Sequence, residues 1–271
     1  MKRGDANTKA AVGGTAPAFA RADRPLVWAH RGASREAPEN TLAAFLLAER
    51  MGADGIELDA QLCATGEVVV LHDESLGRTT GYPGLLGEAP WTLVRTLDAG
   101  ARFAPRYAGE RVPLLEDVLA QTRLLVNVEI KCDRADDRGL TAACIDAIRR
   151  TKAEERVLLS SFNVLCLLRA RARAPRLPRA LLFERDAAFP FRHALSAPAL
   201  GVVSLHPQDE LATDPALAGW RRRGYGVVPW TVDDPVRGAA LWRAGATGII
   251  TNVPDAMLAA FASWDPGRVS S

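Results

Sequence analysis

Two histidines stand directly after apolar runs of the sequence, a position from which side chains often act in catalysis. One apolar run ends in His30 and Arg31, and a second, Val68–Leu71, continues into His72. An imidazole changes its charge near neutral pH, which makes histidine the most frequent general acid or base in enzymes. Because the chain has only four histidines, two at such positions point to acid–base chemistry rather than to coincidence.

Three carboxylates occur in strand-like segments where polar and apolar residues alternate. Glu57 and Asp59 alternate with isoleucine and leucine, so both carboxylates lie on one face of a strand, roughly 6.5 Å apart. Glu129 and Lys131 repeat the pattern in a later segment. Carboxylates that point inward together repel one another unless a cation neutralises them. Oxygen donors without a cysteine–histidine cluster are typical of a site for one hard divalent cation, Mg²⁺ or Ca²⁺, rather than Zn²⁺.

Two basic side chains accompany these groups and point to an anionic substrate. Arg31 follows the first histidine, and Lys131 follows the third carboxylate. Each motif alone has an ordinary structural explanation, because His30 could cap a strand and Glu129 with Lys131 could form a simple ion pair. A cation site, two imidazoles and two positive charges around one anion together indicate cleavage of a phosphoryl ester.

The elements that must position these residues alternate between strand-like and helix-like segments, which is typical of a parallel sheet. The apolar runs that we interpret as strands are Leu26–Ala29, Gly55–Leu62, Val68–Leu71, Leu124–Lys131, Val157–Ser160, Ala180–Phe183, Gly201–Leu205, Val227–Val232 and Gly248–Thr251. The segments with helical spacing are Thr41–Met51, Leu114–Thr122, Leu140–Thr151, Val164–Arg173 and Pro235–Ala244. This pattern, without a glycine-rich phosphate fingerprint after the first strand, predicts an α/β fold, a (β/α)8 TIM-type barrel. The C-terminal strand ends of such a barrel form its catalytic face.

Nine strand candidates exceed the eight places of such a barrel by one. Gly55–Leu62 and Val68–Leu71 are separated only by a short segment containing a glycine, so they form either a hairpin or a short crossover. The stretch that follows, about residues 74–113, is rich in glycine and proline and predicts a small insertion before the fourth strand. Long loops in compact domains are usually functional.

The order of the motifs resembles that of the glycerophosphodiester phosphodiesterase family. The motifs that carry the resemblance are His30-Arg31-Gly32, Glu39-Asn40-Thr41, Glu57-x-Asp59, His72-Asp73 and Glu129-x-Lys131. The likeness runs from about Leu26 to Pro254. It implies a metal-dependent phosphoric diester hydrolase that cleaves deacylated phospholipids, such as glycerophosphocholine or glycerophosphoethanolamine, to sn-glycerol 3-phosphate and an alcohol.

The resemblance also implies a role for the residues that match the family's metal and catalytic positions. Glu57, Asp59 and Glu129 would hold one divalent cation, Mg²⁺ or Ca²⁺. His30 would be the general base and His72 the general acid. The attacking oxygen would belong to water or to the adjacent glycerol hydroxyl, the latter through a cyclic phosphate, and the sequence leaves both routes open.

Substrate-binding roles follow from the same resemblance. Arg31 and Lys131 would bind the phosphate group. Trp230 is a candidate wall for the glycerol group and Phe162 is a second one, although buried aromatic side chains usually serve packing. The partner of the protein would thus be a small molecule.

Two positions depart from the pattern of the family. Asp233 stands where many members have asparagine, and Asn252 stands where many have aspartate. Both residues follow strand-like segments, so a different substrate range or local charge is an expected consequence. We expect neither residue to contact the catalytic set.

The composition excludes several classes of protein. The chain has 271 residues, of which 48% are hydrophobic, and a net charge of +2, which argues against nucleic acid or an anionic membrane as the main partner. No apolar run approaches the roughly 20 residues that span a bilayer. The four cysteines form no C-x-x-C pair, which fits a reducing compartment, and we predict a cytoplasmic protein.

We predict one folded domain between two tails. Residues 1–24 are expected to form a disordered, slightly basic tail, because they lack the apolar segment of a secretory signal. Residues 25–264 are expected to form the barrel, and residues 265–271 a C-terminal tail. The oligomeric state is left open.

Two other functions are compatible with parts of the sequence. A phospholipase C- or D-like enzyme would cleave an intact or lyso-lipid and would need an apolar rim, but arginine and glycine interrupt the apolar residues of the insertion. A non-catalytic protein that binds phosphorylated polyols would tolerate the loss of a histidine or a carboxylate. No member of the catalytic set is missing here, so we rank hydrolysis of glycerophosphodiesters first.

Overall fold

Eight parallel strands form a nearly closed barrel in the computed structural model, which describes Phe19 and residues 23–263. The strands are β1 Leu26–His30, β2 Gly55–Leu62, β3 Val68–Val70, β4 Leu125–Ile130, β5 Val157–Ser161, β6 Arg179–Phe183, β7 Ser204–Pro207, β8 Gly226–Val227 and β9 Gly248–Thr251. All but β3 pair in parallel, in the order β8-β7-β6-β5-β4-β2-β1-β9. A backbone hydrogen bond of 2.8 Å from Thr247 to Val227 links the two ends of this order. The predicted (β/α)8 barrel is confirmed.

Helices follow most of the barrel strands, and two short ones, at residues 77–80 and 91–94, lie in the insertion. The helices are α1 Leu42–Met51, α2 Gly77–Thr80, α3 Trp91–Val94, α4 Leu115–Gln121, α5 Leu140–Arg150, α6 Val164–Arg173, α7 Phe189–Arg192, α8 Ala197–Leu200, α9 Asp214–Arg222, α10 Pro235–Arg243 and α11 Pro254–Ala262. The five helices predicted from the sequence agree with α1, α4, α5, α6 and α10 to within one residue at each end. Within the described residues, no helix is both long and apolar enough to span a bilayer.

The first helix is delimited by local chemistry that the sequence already carries. The side-chain oxygen of Thr41 accepts a hydrogen bond from the Ala44 amide at 3.3 Å, which caps the helix N-terminus. At the other end Gly52 adopts a left-handed conformation and its amide contacts the last carbonyls. These two caps determine where α1 begins and where it ends.

The ninth strand belongs to a hairpin and not to the barrel. β3 runs antiparallel to β2, with Leu62 opposite Val68 and Ala60 opposite Val70. This answers the question that the sequence left open between a hairpin and a crossover. The insertion follows, between β3 and β4 as expected, and has its own apolar cluster, which includes Leu71.

Apolar side chains fill the barrel and extend to its N-terminal end. Trp28 and other inward-facing residues form one cluster, and Phe19 joins it with only 7% of its surface exposed. The rings of Phe19 and Trp28 stack with centroids 6.3 Å apart, and Arg24 is hydrogen-bonded to Asp54 at 3.0 Å. Phe19 and Arg24 therefore pack on the barrel, although both fall within residues 1–24, where the sequence predicted disorder. The remaining predicted tail residues before 23, and residues 264–271, lie outside the described part of the chain.

Candidate active site

Parallel pairing of neighbouring strands brings the predicted carboxylates together at the C-terminal end of the barrel. His30 on β1 is in register with Glu57 on β2, and Asp59 is in register with Glu129 on β4. Residues in register on parallel strands point to the same side of the sheet, which here is the inside of the barrel. Each of Glu57, Asp59 and Glu129 offers a carboxylate oxygen within 4.8 Å of those of the other two, and all three residues are buried.

Burial of three acids at such short range changes their proton affinities. Burial, together with the charges of Asp59 and Glu129, raises the pKa of Glu57 well above its ordinary value. Burial and the charge of Asp59 raise the pKa of Glu129 to about 7. Burial alone would also raise the pKa of Asp59, but the charges of Lys131 and Arg31 outweigh it and lower that pKa. With all three carboxylates ionised, the cluster would thus hold one more negative charge than Arg31 and Lys131 neutralise.

Two cations flank the carboxylates on the side of the cavity. The Lys131 amine lies 3.4 Å from an oxygen of Asp59 and 3.3 Å from an oxygen of Glu129. The Arg31 Nε lies 3.2 Å from an oxygen of Asp59, and the Arg31 backbone amide donates to Glu57 at 3.1 Å. Arg31 has a φ of +57°, which is uncommon for a residue with a side chain and frequent at functional sites. Both predicted phosphate-binding residues therefore lie beside the acidic cluster.

His30 stands at the end of β1, and its ring is held from one side. Its Nε2 lies 4.0 Å from an oxygen of Glu57, and its Nδ1 lies 2.7 Å from Oδ1 of Asn252. Asn252 is in turn hydrogen-bonded to Asp233 at 2.7 Å. The expectation that neither departure from the family pattern contacts the catalytic set is wrong, because the loop after β9 turns Asn252 toward β1. Burial and the charge of Arg31 lower the pKa of His30.

His72 reaches the same end of the barrel through the hairpin. Because β3 runs back along β2, the Leu71 amide bonds to the Asp59 carbonyl at 2.9 Å, and His72 follows directly. The side-chain amide of Gln61 binds the carbonyls of residues 71, 72 and 73 and fixes this turn. The Nδ1 of His72 lies 2.7 Å from a carboxylate oxygen of Asp73. The sequence anticipated the position of His72 but not the antiparallel strand that produces it.

Several side chains contact and position the residues of the site but were not predicted from the sequence. Asn40 donates to Asp59 at 2.8 Å, and Glu39 accepts from Arg31 at 3.1 Å. Arg78 of the insertion binds Glu39 through both terminal nitrogens, at 2.7 and 2.8 Å, and also binds Asp73. The contact with Arg78 lowers the pKa of Asp73 to about 2. Glu39 and Asn40 belong to a motif that carries the family resemblance, but the sequence assigned neither of them a contact in the site.

A cavity of about 270 Å³ opens above the cluster, and both histidines line it. Trp230 and Phe162 form an aromatic corner of this cavity, with ring centroids 5.5 Å apart and planes at 89°. The indole nitrogen of Trp230 donates to the His206 carbonyl at 2.8 Å, whereas Phe162 is 40% exposed. Glu184 also lines the cavity, directly after β6. Glu184 directly follows an apolar run, and the same pattern pointed to His30. Its place near the site could therefore have been predicted from the sequence.

The donor set fits a hard divalent cation. Three buried carboxylates converge, and burial together with repulsion from the neighbouring carboxylates raises the pKa values of two of them. The side chains of Arg31 and Lys131 compensate only part of this charge. No cysteine or histidine belongs to the cluster of donors found among the described residues, which agrees with the expectation of Mg²⁺ or Ca²⁺ and not Zn²⁺.

Comparison of the sequence with known proteins agrees with the resemblance. The model of the glycerophosphoryl diester phosphodiesterase family matches residues 30–256. A glycerophosphodiester phosphodiesterase of Caldanaerobacter subterraneus subsp. tengcongensis is 39% identical over 238 residues, which cover 87% of this chain and 97% of the relative. Another, of Bacillus subtilis, is 31% identical over 249 residues, which cover 86% of this chain and 85% of the relative.

Solved structures share the architecture. A phosphodiesterase of Oleispira antarctica, solved in complex with the product sn-glycerol-3-phosphate, has a TM-score of 0.83 and 28% identity, and the match covers 89% of this chain and 98% of that one. A glycerophosphodiester phosphodiesterase of Agrobacterium tumefaciens has a TM-score of 0.75 and 28% identity, covering 87% and 99%. Because the family model spans most of the sequence and the relatives align over nearly their whole length, this chain belongs to the glycerophosphoryl diester phosphodiesterase family.

Proposed function

We propose that the chain hydrolyses glycerophosphodiesters, such as glycerophosphocholine or glycerophosphoethanolamine, to sn-glycerol 3-phosphate and an alcohol. The observation that carries this proposal is one cavity, lined by two imidazoles and two cations, beside three buried carboxylates that converge. Water supplies the oxygen and hydrogen that the products gain, so no other co-reactant is needed.

A divalent cation, Mg²⁺ or Ca²⁺, would be held by Glu57, Asp59 and Glu129. When bound, it would supply Lewis acidity at the phosphoryl oxygens. The side chains of Arg31 and Lys131 bind the anionic phosphodiester and stabilise the charge that develops on phosphorus oxygens in the transition state. Their contacts with the carboxylates hold both side chains in place before substrate arrives.

The two imidazoles differ in the partner of their Nδ1 atoms, and this difference supports the roles that the resemblance implies. His30 contacts the neutral amide of Asn252, and burial lowers its pKa, so it stays uncharged and can take a proton. His72 contacts the carboxylate of Asp73, which compensates the positive charge that a general acid carries. His30 therefore removes the proton of the attacking oxygen, and His72 donates a proton to the departing alkoxide. The attacking group is water or the adjacent glycerol hydroxyl.

The aromatic corner supports a place for the glycerol group. Trp230 is held by its hydrogen bond to the backbone of β7, and Phe162 packs edge-on against it. These faces can pack against the carbon atoms of glycerol while its hydroxyls face polar groups. Glu184 lines the same cavity and is a candidate acceptor for such a hydroxyl.

Product analysis tests the proposal. With Mg²⁺ or Ca²⁺, glycerophosphocholine should give sn-glycerol 3-phosphate and choline, observed by ³¹P NMR and by a choline assay. Excess chelator should abolish the reaction, and either Mg²⁺ or Ca²⁺ should restore it. Full activity in chelator, with no bound metal, would contradict the metal assignment. Formation of phosphocholine and glycerol would contradict the proposed bond cleavage.

An exposed apolar patch beside the cavity supports a second candidate, cleavage of a lysophospholipid. Phe162, Leu165 and Leu168 are each about 40% exposed, and Phe162 and Leu165 share a groove after β5 and β6. An acyl chain could lie in this groove with its phosphate in the cavity. Comparing the kcat/KM values for glycerophosphocholine and lysophosphatidylcholine separates the two candidates, and a higher value for the lipid would favour the second.

The cysteines support a cytoplasmic location. Cys63, Cys132, Cys144 and Cys166 all have free thiols. Proteins in oxidising compartments more often pair their cysteines. Fractionation of cells that produce the chain, with markers for the cytoplasm and for the periplasm, tests this location.

A further inference from the structure

The contact between His30 and Asn252 connects the imidazole to a chain of hydrogen bonds. Oδ1 of Asn252 lies 2.7 Å from the His30 Nδ1 and accepts from the Ser34 hydroxyl at 2.8 Å. On its other side, Nδ2 of Asn252 donates to Oδ2 of Asp233 at 2.7 Å. The amide of Asn252 is thus a bridge between a carboxylate at the surface and the imidazole.

Asp233 determines which end of this amide faces the imidazole. Its Oδ1 accepts from the Asn252 backbone amide at 2.8 Å and from the Thr251 hydroxyl at 3.1 Å, which fixes the carboxylate in place. An ionised carboxylate only accepts hydrogen bonds, so it requires the NH₂ group of Asn252 on its side. The carbonyl oxygen of Asn252 must therefore face His30.

The orientation of the amide in turn selects the tautomer of His30. A carbonyl oxygen only accepts, so the neutral imidazole must carry its hydrogen on Nδ1. This leaves the lone pair on Nε2, the nitrogen that lies 4.0 Å from Glu57 and faces the cavity. A base needs this lone pair to take a proton from the attacking oxygen.

We infer that Asp233 and Asn252 are positioning residues that hold His30 in the tautomer a general base requires. The inference rests on the proposed function, in which His30 is the base. It also gives a physical meaning to the two departures from the family pattern. With asparagine at 233 and aspartate at 252, the same contacts can form with the carboxylate next to the imidazole. In this chain the carboxylate belongs to Asp233, which is linked to His30 only through the side-chain amide of Asn252. Asp233 acts on His30 by setting the orientation of that amide.

Replacing the carboxylate alone should reverse the tautomer. In Asp233→Asn, the oxygen of the new amide keeps the bonds to residues 251 and 252, so its NH₂ group faces the NH₂ group of Asn252. The Asn252 amide then rotates and presents NH₂ to His30, which moves the imidazole hydrogen to Nε2. We expect kcat to fall by about 10²-fold or more, while KM changes little, as for other enzymes whose base is held in the wrong tautomer.

The exchange of both residues should restore the tautomer. In the double variant Asp233→Asn, Asn252→Asp, the amide at 233 donates to the carboxylate at 252, which again accepts from Nδ1 of His30. We expect kcat within about tenfold of the wild type. Asp234→Asn is the matched control, because Asp234 only caps α10 through the Val236 amide, and asparagine caps equally well. It should leave kcat unchanged.

The ¹⁵N NMR shifts of the His30 ring nitrogens report the tautomer without reference to activity. The Mg²⁺-loaded wild type and the double variant should show a protonated Nδ1, and Asp233→Asn a protonated Nε2, with His30→Ala providing the assignment. A protonated Nε2 in the wild type, a wild-type kcat in Asp233→Asn, or a folded double variant without recovered activity would each overturn the inference. An active His30→Ala variant would instead overturn the proposed role of His30 as base, whatever tautomer the spectra show.

Discussion

At the scale of single residues, the acidic cluster brings three like-charged groups close together. Three carboxylates share a buried volume, and Lys131 and Arg31 contact them without balancing their charge. Burial and the repulsion between these carboxylates raise the pKa values of Glu57 and Glu129, so keeping all three acids ionised has a free-energy cost. The cost is characteristic of a site arranged for a ligand, because it disappears when a cation is bound.

The cost can be measured through the pH dependence of stability in the metal-free protein. The pKa of Glu129 is about 7 in the folded chain, against roughly 4.3 for an unfolded glutamate. The folded state thus binds more protons than the unfolded state between these values, and the free energy of unfolding falls as pH rises through this range. Glu129→Gln removes this contribution. The difference in the free energy of unfolding between the variant and the wild type should grow, in favour of the variant, as the pH rises from 5 to 8. We expect this growth to be on the order of 1–3 kcal/mol.

Chemical denaturation in excess chelator at both pH values measures this gain. Glu155→Gln changes an exposed carboxylate and should show no such pH-dependent gain. Saturating Mg²⁺ should stabilise the wild type more at pH 8 than at pH 5, because metal and protons compete for the same oxygens. An equal difference between Glu129→Gln and wild type at the two pH values would show that Glu129 does not titrate in this range.

The sequence predicted most of the side chains that the fold brings together at the candidate site, but few of those that contact and position them. His30, Glu57, Asp59 and Glu129 could be found because each lies in or directly after an apolar run. Asn252 contacts His30 across 222 positions of the chain, and only the closure of the barrel between β1 and β9 brings them together. A contact of this kind depends on the register of strands, which local patterns do not contain.

At the scale of elements, the loop between β1 and α1 must turn sharply to place Arg31. Gly32 has a φ of +84°, and a Cβ atom there would lie 2.7 Å from the backbone and side chain of Ala44 in α1. Contacts under 3.0 Å force one of the two elements to move. The close approach of this loop to α1 is therefore possible only for glycine.

Gly32→Ala tests this packing, with Gly66→Ala as its control. Gly66 has a φ of +96° in the hairpin between β2 and β3, but no atom lies within 4 Å of a Cβ built there. Both variants bear the strain of a left-handed alanine, about 1–2 kcal/mol, and only Gly32→Ala adds a clash. We expect Gly32→Ala to be less stable than Gly66→Ala by roughly another 1–3 kcal/mol. Displacement of Arg31 should also lower kcat/KM at least tenfold in Gly32→Ala alone, and equal effects in the two variants would contradict the packing argument.

Elements were predictable where one pattern dominated a segment. Helices α5 and α6 follow a clear helical spacing, and their predicted bounds match to within one residue. Helix α9 was missed although its apolar residues have helical spacing, and α11 was missed because apolar residues occur on most of its faces. The β2–β3 hairpin could not be separated from a crossover, since the sequence of a strand does not contain its direction.

At the scale of the whole molecule, the two ends of the barrel differ in the side chains that they carry. The carboxylates and histidines lie at the C-terminal ends of the strands. At the opposite end, Phe19 packs beside residues that precede β5 and β6, such as Glu154 and Pro178. We therefore expect substitutions at the C-terminal end to affect activity, and substitutions at either end to affect stability.

Phe19→Ala should therefore affect stability and not activity. Removing a buried phenylalanine side chain typically costs about 3–5 kcal/mol, and a position at the end of the core should fall at the lower limit. We expect Tm to fall by on the order of 5–10 °C, with kcat and KM unchanged. Phe189→Ala, at a residue that is 61% exposed, should change Tm little. An unchanged Tm in Phe19→Ala would mean that the stacking on Trp28 contributes nothing in solution.

In the proposed mechanism one histidine is the general base and the other the general acid. Substrates that differ in the basicity of the leaving group distinguish these two roles. Choline or glycerol leaves as a strongly basic alkoxide and needs a proton, whereas nitrophenolate is a weak base and can leave without one. His72→Ala should lose about 10²–10⁴-fold in rate on glycerophosphocholine and much less on a nitrophenyl phosphodiester. His30→Ala should lose similar factors on both substrates, because the attacking oxygen always needs a base.

The measurement is the ratio of kcat/KM values for the two substrates in the wild type, His30→Ala and His72→Ala, each saturated with Mg²⁺. We expect only His72→Ala to shift this ratio, toward the nitrophenyl substrate. A shift in His30→Ala instead would exchange the two roles. Equal losses of both variants on both substrates would contradict acid catalysis by either histidine.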